Sequence, residues 1–126
     1  MNDKSNLNLA FSTPIWASLL PDYKGLNEIM FKYIKNLQSK NPDGVSKSNQ
    51  MGWHSENFDI QSEEPKLFIK AISPNLKRVL VDMGWDLSKN EIKITSMWSI
   101  INYKNASNSR HIHSNNYISA AYYVKA

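Results

Sequence analysis

Cysteine is absent from the 126 residues. That excludes disulfides, thiolate zinc sites and a cysteine nucleophile. Glycine is scarce, at four residues, and no phosphate-cradling glycine-rich loop can be assembled from them. Arginine is scarcer still: of 15 basic residues only Arg78 and Arg110 are not lysine. No apolar run approaches the roughly 20 residues that span a bilayer. Met1 to Asn6 lack the charged-then-apolar order of a signal peptide, so a cytoplasmic protein without membrane partners is the simplest expectation. No Ser-His-Asp arrangement suggests nucleophilic catalysis.

What is present is the composition of a globular chain, 41% hydrophobic and 11% aromatic. The length suits one domain with a modest core. The net charge of +4 comes from lysines scattered singly among Asn, Ile and Ser. An AT-rich genome imposes that bias through its codons, and scattered lysines read as a solvated surface rather than a phosphate-binding cluster.

Leu7 to Leu20 reads as extended chain broken at Thr13-Pro14, because proline disfavours helical geometry in its predecessor. Leu26, Ile29, Met30, Tyr33, Ile34 and Leu37 share one helical face, and Asn41-Pro42-Asp43-Gly44 is a turn that ends it. Val45 to Asn57 is polar and loop-like. A second helix is expected from near Pro65, with Phe68, Ile72, Leu76, Val79, Leu80 and Met83 inward, a kink or break at Pro74 and a C-terminal cap at Gly84. Ile92, Ile94, Ser96, Trp98 and Ile100 then alternate with polar residues, which predicts a long strand reaching Tyr103. Tyr117 to Lys125 is rich in β-formers and predicts another. The expected fold class is α+β: a helical part over residues 1–90 and strands over 91–126, the strands resembling the opening half of a jelly roll of the cupin type.

The chemistry-bearing feature is Arg110-His111-Ile112-His113. Imidazoles at i and i+2 point to the same side of an extended chain, so His111 and His113 can grip one metal ion. Neutral imidazole is a common metal ligand, and Ser114, Asn115 and Asn116 are placed to orient the rings through hydrogen bonds. The same spacing also suits two surface histidines in a Ser/Asn-rich loop. His54, the remaining histidine, reads as a loop residue beside Trp53. Iron or zinc needs more than two ligands.

Trp98, Asn102, His111, His113 and the run Ser119 to Val124, in that order and spacing, resemble the first half of a 2-oxoglutarate/Fe(II)-dependent dioxygenase. More narrowly they resemble a group of oxygenases common in phage and bacterial genomes, whose pattern runs Trp-x-x-x-Asn, His-x-His, Ser-Gly-x-Tyr-Tyr-Val. Thr13 to Trp16 and Gly52 to Ser55 match further segments of that group, so the likeness covers nearly the whole chain. The resemblance implies a distorted double-stranded β-helix holding Fe(II), with 2-oxoglutarate as cosubstrate and dioxygen at an open position. It makes His111 and His113 metal ligands. His113 departs from most of the superfamily, where a carboxylate stands, and leaves the metal site one charge more positive. Tyr123 matches a tyrosine that hydrogen-bonds the distal carboxylate of 2-oxoglutarate. Asn102 or Tyr103 would face the cosubstrate as well, parity with Trp98 favouring Asn102. Asn105 and Ala120 replace glycines of the pattern.

The family's third ligand, a later histidine, and its carboxylate-binding arginine have no counterpart here. The chain is therefore expected to be the N-terminal portion of an oxygenase domain, inactive alone, with unpaired strand edges prone to self-association. Other readings are a cupin-like metal protein without this chemistry, a phage structural protein, and a nucleic-acid module using lysines with Trp53 and Tyr117.

Overall fold

The computed structural model describes residues 12–126. Leu7 to Phe11 of the expected extended segment lie outside the described residues; from Ser12 to Leu20 the chain has no regular structure. The fold is α+β: helices α1 (Tyr23–Lys40) and α2 (Glu63–Asp82) with strands β1 (Asn49–Gln50), β2 (Trp53–His54), β3 (Ile100–Ile101) and β4 (Ser107–Asn108). Among the described residues it contains two two-stranded antiparallel sheets, β1 with β4 and β2 with β3, and no closed barrel.

The helices follow the apolar spacing. Met30 of α1 and Phe68 of α2 are buried and meet Phe58, and Leu26, Tyr33, Ile34, Leu37 and Ile72 pack around them. Each fully buried side chain of this size contributes about 1.5–3 kcal/mol. Helix α1 ends where the Asn41–Gly44 turn begins, with Gly44 donating its backbone N–H to Asn41 O. Helix α2 starts two residues ahead of Pro65, behind Ser62. Its first turn needs no N–H from Pro65, whose side chain is fully buried.

At its other end the Gly84 N–H bonds Val81 O, the Trp85 N–H bonds Leu80 O, and Gly84 takes φ 83°. That left-handed cap satisfies carbonyls the helix leaves free. The expected break at Pro74 does not occur, since α2 is continuous through it. Pro74 and Lys70 are both exposed, so the bond lost to the missing N–H falls on the solvent side of the helix.

The β-region departs most from the sequence reading. The supposed loop 45–57 carries β1 and β2. The long strand expected from Ile92 to Tyr103 is reduced to β3 and a few flanking bonds. Trp53 faces Ile101 and His54 faces Ile100; beyond them the Ser55 N–H reaches Ser99 O at 3.0 Å and the Phe58 N–H reaches Met97 O at 2.7 Å. On the other side of a bend at Met51-Gly52, Asn49 faces Asn108 and Gln50 faces Ser107.

Segments 48–58 and 97–109 thus form one interrupted ribbon. The wider detour, Asn102 to Ala106, turns through Asn105 at φ 70°. Asparagine tolerates this left-handed geometry. Gly52 is needed opposite it: a Cβ there would stand 2.5 Å from Asn102 Oδ1 and 3.1 Å from Ile101 O. Residues 117–125 form no strand, because no neighbouring strand is present among the described residues to take their backbone groups. The segment docks instead on α1. Asn27 Nδ2 donates to Val124 O at 2.8 Å, and the Tyr122 hydroxyl donates to Asn27 Oδ1 at 2.6 Å. Half of the ribbon, β1 and β2, lies between the helices in sequence.

Candidate metal centre

Alternation along the ribbon sorts its side chains onto two faces. Met97 points to the helices and joins their core with Tyr122 and Val124. Trp98 points the other way, where the histidines gather. His111 and His113 lie edge to face, ring centroids 4.8 Å apart at 82°. His113 is tilted 35° to Trp98 at 5.4 Å. On Trp98 also rests His54, nearly parallel at 14° and 5.8 Å. His54 is 6% exposed, so it is a buried residue and not the loop histidine its polar surroundings suggest. Strand β2 fixes it there, through the pairing of Trp53 and His54 with β3 and the Val45 N–H bonded to His54 O at 2.9 Å.

Two of the rings have a defined tautomer. His111 Nδ1 lies 2.7 Å from Ser109 O, and His54 Nδ1 lies 2.6 Å from Ser55 O. A carbonyl accepts and cannot donate, so each Nδ1 carries the hydrogen. The neutral rings keep their lone pair on Nε2, the arrangement by which a metal-binding histidine is usually oriented. The orienting carbonyl at His111 comes from Ser109, upstream of the pair. Of the expected partners downstream, Asn116 is engaged elsewhere: it donates to Ser114 O and accepts from Thr95 Oγ1.

The chain matches no family model, no curated protein and no solved structure.

The pair fits two positions of a divalent-metal site by donor type and by the freed His111 Nε2. No group of three His, Asp or Glu side chains that could hold a metal ion occurs among the described residues. His54 meets the pair through Trp98 and not directly, so it is not a third ligand in this arrangement.

The residues expected to face a cosubstrate make other contacts or face solvent. Tyr103 accepts a hydrogen bond from Gln38 Nε2 of α1 at 2.8 Å. Asn102 abuts Gly52. Tyr123 is 79% exposed. No hydrogen bond or ring contact joins any of these three to His111 or His113. A separate open hollow of about 380 Å³, lined by Val45, Lys47, His54, Ser55, Glu56 and Asn57, takes in His54 and leaves out the pair.

The burial of His54 was not legible in the sequence. It stands in a polar stretch, and its partner Trp98 is distant in the chain. Its position inside Gly52 to Ser55, one of the segments carrying the family likeness, is the one signal that could have drawn attention to it.

Proposed function

We propose that this chain carries two protein ligands, His111 and His113, of an iron(II) centre in an oxygenase of the 2-oxoglutarate-dependent kind, built on a double-stranded β-helix to which the observed ribbon contributes strands. One observation carries the reading: the two rings of the His-x-His are adjacent, and Ser109 O turns the Nε2 lone pair of His111 free for a metal. The order of Gly52 to Ser55, Trp98, His111-x-His113 and Ser119 to Val124 supports the same reading. When bound, iron would supply the activation of dioxygen for oxidising a C–H bond, with 2-oxoglutarate as co-reductant. The chain's own groups hold the ion and aim the rings. The Ser109 carbonyl keeps the His111 proton on Nδ1, and the Trp98 indole shields one side of His113 from water. No third ligand is gathered with the pair among the described residues, so the pair alone would hold a divalent ion weakly, though saturably.

A second reading, a metal-binding protein of cupin type that uses no 2-oxoglutarate, is favoured by the lack of any hydrogen bond or ring contact between Tyr103 or Tyr123 and the pair. Anaerobic addition of Fe(II) and then 2-oxoglutarate separates the two. A charge-transfer band that appears only with both, and disappears in His111→Ala, supports the oxygenase. Metal binding without that band supports the second reading. No histidine-dependent metal binding refutes both.

A further inference from the structure

We propose that Trp98, backed by His54, is the positioning platform that fixes His113 as a metal ligand. The inference rests on the reading of His111 and His113 as metal ligands. Trp98 is not among the side chains packed on the core of Met30, Phe58 and Phe68, although its neighbour Met97 is. One of the largest side chains of the ribbon is thus turned away from the apolar centre and laid against two imidazoles.

Among the described residues His113 has no hydrogen bond to orient it, in contrast to His111 with its Ser109 carbonyl. The indole supplies the missing restraint, a flat surface against which the ring takes up one tilt. His54 in turn restrains the indole. It is buried, nearly parallel to Trp98, and held by Ser55 O. Packing alone does not call for a histidine there. A flat ring with one edge anchored to the backbone fits the role, because it cannot swing out from beneath the indole. Three segments far apart in the chain, at residues 54, 98 and 113, therefore converge on the orientation of one ligand. The effect of such a support is on metal affinity, since a ring free to rotate must be ordered at the moment of binding.

The test is Co(II) titration of the full 126-residue chain by calorimetry, with circular dichroism confirming that each variant is folded at the titration temperature. The expected result is saturable binding by the wild type that is lost in the His111→Ala/His113→Ala double variant. Trp98→Leu is expected to weaken binding about tenfold, while Trp98→Phe, which keeps a flat ring, stays within about twofold. His54→Ala is expected to weaken binding, and His54→Phe, which keeps the flat ring but not the anchor to Ser55 O, to recover only part of it. A variant that is merely less stable, yet folded, would bind like the wild type.

Wild-type affinity in both folded Trp98→Leu and folded His54→Ala overturns the platform while leaving the ligand pair standing. Equal weakening in the Leu and Phe variants at 98 also overturns it. Full binding by the double histidine variant, or no saturable binding by the wild type, overturns the ligand reading and the platform together. Should Trp98→Leu fail to fold, the comparison of His54→Ala with His54→Phe decides alone.

Discussion

Replacing Asn27 by alanine removes both fastenings between α1 and the segment 122–124. Asn27 Nδ2 donates to Val124 O, and its Oδ1 accepts from the Tyr122 hydroxyl; both bonds are partly buried. Each is worth about 1 kcal/mol net, for a gross loss of about 2 kcal/mol. Alanine is the better helix former, which returns about 0.6 kcal/mol. The expected net loss is therefore about 1.5 kcal/mol, or a fall of about 5 °C in Tm for a domain of this size. Thermal melting followed by circular dichroism reads it directly. A double-mutant cycle with Tyr122→Phe should give a coupling of about 0.5–1 kcal/mol, because the two substitutions break one bond in common.

The same pair has a pH signature. Burial pushes the Tyr122 hydroxyl above its ordinary value of 10.0, and the neighbouring Tyr23 adds to the shift. A raised value means that the folded state holds this proton more tightly than the unfolded state. The stabilisation is then complete below pH 10 and is lost as the pH climbs through the folded-state value. The wild type should lose its advantage over Tyr122→Phe above pH 10. An Asn27→Ala chain that melts at or above the wild-type temperature would refute the clamp.

Gly44→Ala should cost about 2 kcal/mol or more in urea unfolding, because φ is 63° and the new Cβ would meet His54 O at 2.5 Å; a loss below about 0.5 kcal/mol would contradict the turn geometry. Ser99→Ala should be neutral or stabilising by up to about 1 kcal/mol, since Ser99 Oγ is buried without a partner. Ser55→Ala should destabilise by about 1–2 kcal/mol, since Ser55 Oγ accepts the Ser99 N–H at 3.0 Å and donates to Glu56 O at 2.6 Å. If the two serine variants change stability alike, the hydrogen-bond assignment in the ribbon is wrong.

The helices were legible because their signal is local. Met30, Tyr33, Ile34 and Leu37 face the core at the spacing the sequence shows, with Ile29 left 39% exposed at the edge of the stripe. Gly84 announced its own cap. Strands depend on partners that spacing along one segment cannot reveal. The alternation from Ile92 to Ile100 suggested one apolar face, but the ribbon sends Met97 to the helices and Trp98 to the histidines, using both sides. Tyr117 to Lys125 has the composition of a strand and takes none of its bonds. At the site, the His111–His113 pairing was legible from its i, i+2 spacing. His54 was not, because its burial is set by a tryptophan 44 positions later in the chain.

The ribbon also fixes an order of assembly. Ser55 and Ser99, 44 residues apart, share its central bonds, and the whole of α2 lies in the connection between them. Closing so long a loop is slow compared with winding a helix. During synthesis the segment 48–58 leaves the ribosome well before the strand that will cover it. Throughout that interval Trp53 and its neighbours present an open strand edge to the cell, and the yield of folded chain depends on how quickly β3 arrives or how well a chaperone shields the edge meanwhile.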